Sequence, residues 1–147
     1  MKLLIISEYF PSTTTLNFTG GVETRNYYIA SELSKHHSVT VIASYEKGKP
    51  RWQKLQQVAV HRVGKIRDYN RMDKLSRLIF SWRAFWTGLY LDFDVIEGSG
   101  FWGWLPAWLL GLIKNKPKTI LIADVLADYG QQIDVISYWL LRIWENF

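Results

Sequence analysis

The chain has no cysteine, so it carries neither a disulfide framework nor a thiol nucleophile, and a reducing compartment suits it. Its three histidines, His36, His37 and His61, do not stand at metal-ligand spacing with carboxylates, so no metal site is expected. No apolar run reaches the roughly twenty residues of a spanning helix, and the opening Leu3–Ile6 run is too short for a signal peptide. No G-x-G-x-x-G follows an apolar strand, which argues against a nicotinamide or flavin enzyme. Repeats and low-complexity tracts are missing too. Acidic residues are scarce in one region: between positions 46 and 83 there are eleven Lys and Arg against Glu46, Asp68 and Asp73, while the rest of the chain is net acidic and the whole sums to +5.

What is present reads as alternating strands and helices within 147 residues, enough for one sizeable core. Lys2–Ser7 is a continuous apolar run, as a strand covered on both faces requires. Tyr9-Phe10-Pro11 ends it, and a polar, Thr-rich loop from Ser12 to Thr19 leads to Gly20-Gly21-Val22-Glu23. A helix is predicted over residues 22–35 with Val22, Ile29, Ala30 and Leu33 on its apolar face, and a second strand over residues 39–43. Val58–Val63 alternates as a short third strand. Residues 71–91 read as a long helix with Leu75, Leu78, Ile79, Trp82, Trp86 and Leu89 as the stripe on the sheet and Phe80 off it. Residues 93–97 and 116–122 supply a fourth and a fifth strand; Phe101–Ile113, with Trp102, Trp104 and Trp108, is a core helix between them. Near the end, Ile136, Leu140, Ile143 and Phe147 recur at helical spacing with no stop signal, so the chain is expected to end inside a larger fold.

Gly20 and Gly21 stand where a helix exposes unpartnered N–H groups and the positive end of its dipole, a place that can hold a phosphate or simply turn the chain. The basic region, with Trp52 in a loop and Lys74 and Arg77 on the helix side away from the stripe, suits an anionic partner. Lys47, Lys49, Arg51, Trp52, Lys54, Lys74 and Arg77 form the candidate patch for an anionic membrane surface; a solvated basic face is the plain alternative. RNA binding would use the same electrostatics, but no nucleic-acid motif accompanies it.

In order along the chain, Lys2–Ser7, Tyr9-Phe10-Pro11, Gly20-Gly21-Val22-Glu23, Ile29-Ala30, Leu33, His37–Ile42, Phe93–Glu97 and Lys116–Ile122 with Asp124 resemble the N-terminal domain of family-four glycosyltransferases. That resemblance implies half of a GT-B fold: a Rossmann-like α/β domain, doubly wound, with a mainly parallel sheet of order 3-2-1-4-5 and helices on both faces. Residues 1–147 would be one acceptor-side domain, truncated, with the donor-binding C-terminal domain absent and supplied by the same or a separate chain. The complete enzyme would move a sugar, of hexosyl type, from a nucleotide-diphosphate sugar to a hydroxyl on a lipid-linked or polysaccharide acceptor, with no other cofactor. A cytoplasmic location, peripheral on the membrane face, goes with it. The resemblance also sets Gly20 and Gly21 against the donor diphosphate.

Ligands of open α/β sheets gather beyond the carboxyl ends of the strands, which selects Ser7 and Glu8, then Glu97, Gly98 and Ser99, then Asp124. Glu8, Gly98 and Ser99 are candidates for the acceptor, and Glu97 and Asp124 for catalysis, as base and as sugar-orienting carboxylate. Many relatives carry histidine at the positions of Glu97, Ser99 and Ala123, so this chain departs from the pattern there. The non-enzymatic alternative is a membrane-surface or partner-binding module that pairs with a separate catalytic half.

Overall fold

The computed structural model describes residues 1–12, 20–67 and 74–121. Its elements are β1 (Lys2–Ser7), α1 (Gly21–Leu33), β2 (Ser38–Glu46), β3 (Trp52–Leu55), β4 (Val58–Arg67), α2 (Lys74–Tyr90), β5 (Val95–Ser99), α3 (Phe101–Ile113) and β6 (Lys118–Leu121). They build one six-stranded sheet of order β3-β4-β2-β1-β5-β6. Every neighbouring pair is parallel except β3 with β4. The five parallel strands keep the order expected from the sequence. The difference is β3, a short antiparallel strand added at the edge, which takes Trp52 out of the loop assigned to it.

Side chains alternate across the sheet and divide the core in two. Ile5, Val39, Val41 and Val60 pack with Tyr27 and Ala30 of α1 on one face. Leu4, Ile6, Ile42 and Ile96 pack with Phe80 and Ala84 of α2 and with Ala107 and Leu110 of α3 on the other. Helices therefore cover both faces. Two glycines set how close α3 can come. A Cβ on Gly103 would run into the carbonyl oxygen of Ile6, and one on Gly98 would lie 2.6 Å from Trp104 Cα. The turn between β5 and α3 passes through Gly100 at φ +72°, a conformation glycine adopts at little cost.

Two helix faces differ from expectation. On α1 the buried positions are Glu23, Asn26, Tyr27 and Ala30, while Val22 and Ile29 are only half-buried. Tyr27 faces Phe10, and Asn26 reaches serines on two strands, so polar and aromatic groups hold this helix where aliphatic ones were expected. On α2 the discrepancy is larger. Phe80, Ser81, Ala84 and Gly88 face inward, whereas Leu75, Leu78, Trp82 and Trp86 are exposed. The cause is space. Phe80 Cα would meet a Cβ on Gly64 at 3.4 Å, and Gly88 is pressed against the Leu110 side chain, so only small residues and one ring fit between α2, β4 and α3. Ser81 donates a hydrogen bond to the Trp102 carbonyl at 2.6 Å, pinning that rotation.

Candidate functional site

β1 connects to β2 through α1 on one face, and β5 connects to β6 through α3 on the other, so the winding direction reverses between β1 and β5. In such sheets the ligand crevice lies at a reversal of this kind, beyond the carboxyl ends of the strands. Ser7 and Ser99 are register partners across it, as are Ile5 and Glu97. All four point toward α1, because residues two apart share a face.

α1 answers with two consecutive polar residues. The buried Asn26 donates from Nδ2 to Ser7 Oγ at 2.9 Å and to Ser99 Oγ at 2.8 Å. Ser7 in turn donates to the Tyr9 carbonyl at 2.9 Å, fixing the chain as it leaves β1. Arg25 donates from one guanidinium nitrogen to Asn26 Oδ1 at 2.9 Å and to Glu97 Oε1 at 2.6 Å. Its side chain stays 36% exposed, so it presents a positively charged edge to the crevice while its position is fixed. Neither Arg25 nor Asn26 stood among the residues expected from the sequence. Their signal was available: they lie one turn past the glycine pair, on the side of α1 that faces the strand ends.

Two of the helices that begin at this edge open with glycine and, among the described residues, no side-chain cap: Gly20 before α1 and Gly100 before α3. Gly20 and Gly21 are exposed, and a Cβ on either would meet nothing within 4 Å. Among the described residues, no side chain plugs the helix opening. Glu23 is buried in the first turn of α1, where a carboxylate complements the dipole.

The other candidates lie as follows. Glu97 is engaged by Arg25 at the crevice wall, and Ser99 is buried on Asn26. Gly98 lies beneath α3, where its lack of a side chain serves close packing. Glu8 is buried and sits 3.3 Å from Arg77 Nε, an ion pair that ties the end of β1 to the first turns of α2. Asp124 and Ala123 lie outside the described residues. Among the described residues no three His, Asp or Glu come together as a metal site would need.

The basic region separates into distinct parts. Arg62 is 2% exposed and holds the chain after β1, donating to the Pro11 carbonyl at 2.7 Å and the Phe10 carbonyl at 3.2 Å, with Glu46 Oε1 at 3.3 Å. It is a structural residue and not part of an anion surface. Arg77 turns inward to Glu8, on the stripe continued by Ser81, Ala84 and Gly88, and does not lie on the outer side of α2. Lys47, Lys49 and Arg51 lie in the connection from β2 to β3 and Lys54 on the edge strand β3, with Arg51 4.2 Å above the Tyr45 ring. Lys74 opens α2 and is exposed. His61, beneath Trp52, is buried, and desolvation pulls its pKa down to about 4.

A mainly parallel sheet whose winding reverses between β1 and β5, with helices on both faces, defines a doubly wound α/β domain. The chain belongs to glycosyltransferase family 4, whose model matches residues 19–140. The resemblance to that family's N-terminal domain, and with it the Rossmann-like α/β fold of half a GT-B enzyme, is thereby borne out. No curated protein matches the chain. Among solved structures, the C-terminal domain of a hydrogenase from Pyrococcus furiosus is similar, with 17% identity, a TM-score of 0.53, and coverage of 82% of this chain and 91% of that domain. At that identity the likeness concerns the fold.

Proposed function

We propose that this chain is the acceptor-side half of an enzyme that transfers a sugar from a nucleotide-diphosphate sugar to a hydroxyl group. The observation that carries the proposal is Arg25, held by Glu97 and Asn26 between two uncapped helix openings in a chain of this family. In the transfer, charge accumulates on the departing diphosphate. Fixed positive groups aimed at it stabilise the transition state without reorganising. Arg25 and the N–H groups at Gly21 and Val22 supply such groups from this domain. Glu97 orients the Arg25 guanidinium, so its first role is positioning, and Ser99 and Glu8 border the space for an acceptor. Asp124 is the candidate for orienting the sugar. A family-four C-terminal domain, in the same or another chain, would close over the crevice and bring the donor.

The test is to combine the chain with such a C-terminal domain and measure release of nucleoside diphosphate across a panel of sugar nucleotides. Release is expected for at least one donor, with the chain alone inactive. If no donor in the panel were turned over by the assembled pair, the proposal would be abandoned.

A further inference from the structure

Away from the crevice, the described domain carries a second concave site, between the β3–β4 edge of the sheet and α2. It encloses about 550 Å³, a volume typical of small-ligand pockets, and none of its lining residues lies on β1, β5 or α1. Three indoles, Trp52, Trp82 and Trp86, stand in its wall, and Trp52 and Trp82 keep 65% and 62% exposure. His61, the register partner of Trp52, is buried beneath it. Two exposed guanidinium groups accompany the rings: Arg51 just before β3, and Arg83 on α2. The pocket's third arginine, Arg62, is taken up by the carbonyls of Phe10 and Pro11. Arg83 makes no hydrogen bond or ion pair among the described residues, and no described residue lining the pocket is acidic. Large rings left open to water beside an uncompensated cation mark a binding surface rather than packing.

We propose that this pocket binds an acidic saccharide, a pyranose unit carrying a carboxylate, at a site separate from the crevice. The proposal goes beyond the sugar-transfer reading and survives if that reading fails. Each half of such a ligand has its counterpart here. A pyranose ring presents axial C–H groups on one side, an apolar face that lies against an indole face. Its carboxylate suits the planar fork of a guanidinium, which donates two parallel hydrogen bonds to two oxygens. Arg83 is free to do so, and Arg51 adds a second positive charge at the rim.

The ring geometry favours a saccharide over a nucleobase. Trp82 and Trp86 meet edge to face, with planes 73° apart, so this pair makes no parallel slot to sandwich a flat base. Reading a base also takes neutral donors and acceptors along its edge. Among the described lining residues that are not buried, Thr87 is the only neutral side chain bearing a hydroxyl or amide. The site also differs from the basic patch expected from the sequence: of that patch only Arg51 and Trp52 border it, and its remaining cation, Arg83, comes from the helix.

The test titrates the full chain with a trimer of galacturonic acid, following tryptophan emission and amide chemical shifts. Saturable binding is expected, with shifts centred on Arg51, Trp52, Arg83 and Thr87, weakening as salt rises from about 0.05 to 0.5 M. The neutral galactose trimer should bind at least about tenfold more weakly, and Arg83→Gln, a change at an exposed and unpartnered position, should cost about tenfold with circular dichroism unchanged. Arg83→Lys should recover only part of that loss, because an ammonium lacks the fork. Arg25→Gln, in the crevice, should leave the affinity as it is. The proposal is overturned if no saturable change appears, if the neutral trimer binds as well, or if Arg83→Gln binds like the parent. It is overturned too if loss follows Arg25→Gln instead, or if oligouridylate binds more tightly than the uronate trimer, which would make the pocket a single-stranded RNA site.

Discussion

Asn26 and Arg62 do at the residue scale what the strands alone cannot: each ties together segments far apart in the chain. Asn26 joins β1 to β5 through two serine hydroxyls. Asn26→Ala leaves both buried hydroxyls without their donor and should cost about 1–3 kcal/mol in urea unfolding. Arg62 reaches two backbone carbonyls after β1 and a carboxylate on β2. Arg62→Ala should cost about 3–5 kcal/mol, because Glu46 then loses its cation, and Arg62→Lys should not restore stability, since one ammonium cannot span the same fork. His61 gives the chain a pH signature. Its folded-state pKa of about 4 lies below the ordinary 6.5, so on acidification the unfolded chain takes the proton first. Stability from this group is full above pH 6.5, falls as pH drops toward 4 and is level below that; the loss approaches about 3 kcal/mol. Urea midpoints measured from pH 7 to 4 should show this slope, and His61→Gln should flatten it.

Helix α2 carries the lesson at the element scale. Phe80→Ala should cost about 3–5 kcal/mol, whereas Leu78→Ala should change stability by no more than about 0.5, the reverse of what the apolar stripe implies. Thermal or chemical unfolding of the two variants decides it. The parallel strands were legible because apolar runs between turn residues have few other fates, and the extra edge strand was not because Trp52–Leu55 is too short and too polar to show a period. The rotation of α2 was hidden for a different reason. Apolar periodicity marks a coherent face without saying whether the sheet or something outside covers it, and the choice rested on Gly64, Gly88 and Leu110, residues remote from the stripe. In the crevice, the strand-end rule found Glu97 and Ser99, but their partners Arg25 and Asn26 follow from the rotation of α1, which its aliphatic residues misreported.

Considered as a whole molecule, the domain separates two surfaces. One is the crevice between β1 and β5, with a fixed cation and two uncapped helix openings. The other is the apolar face of α2 and α3, which lies on the opposite side of the sheet from α1. The basic connection from β2 to β3 belongs to neither, although it gathers Lys47, Lys49 and Arg51 within five residues. The account therefore assigns diphosphate recognition to placement of a few groups at the strand ends and not to net charge. Amide chemical-shift mapping of the chain, titrated with a nucleoside-diphosphate sugar and separately with pyrophosphate, tests this most directly. The account predicts shifts centred on Gly20, Gly21, Arg25 and Ser99, much reduced in Arg25→Gln; shifts confined to residues 47–54, and unchanged in that variant, would contradict it.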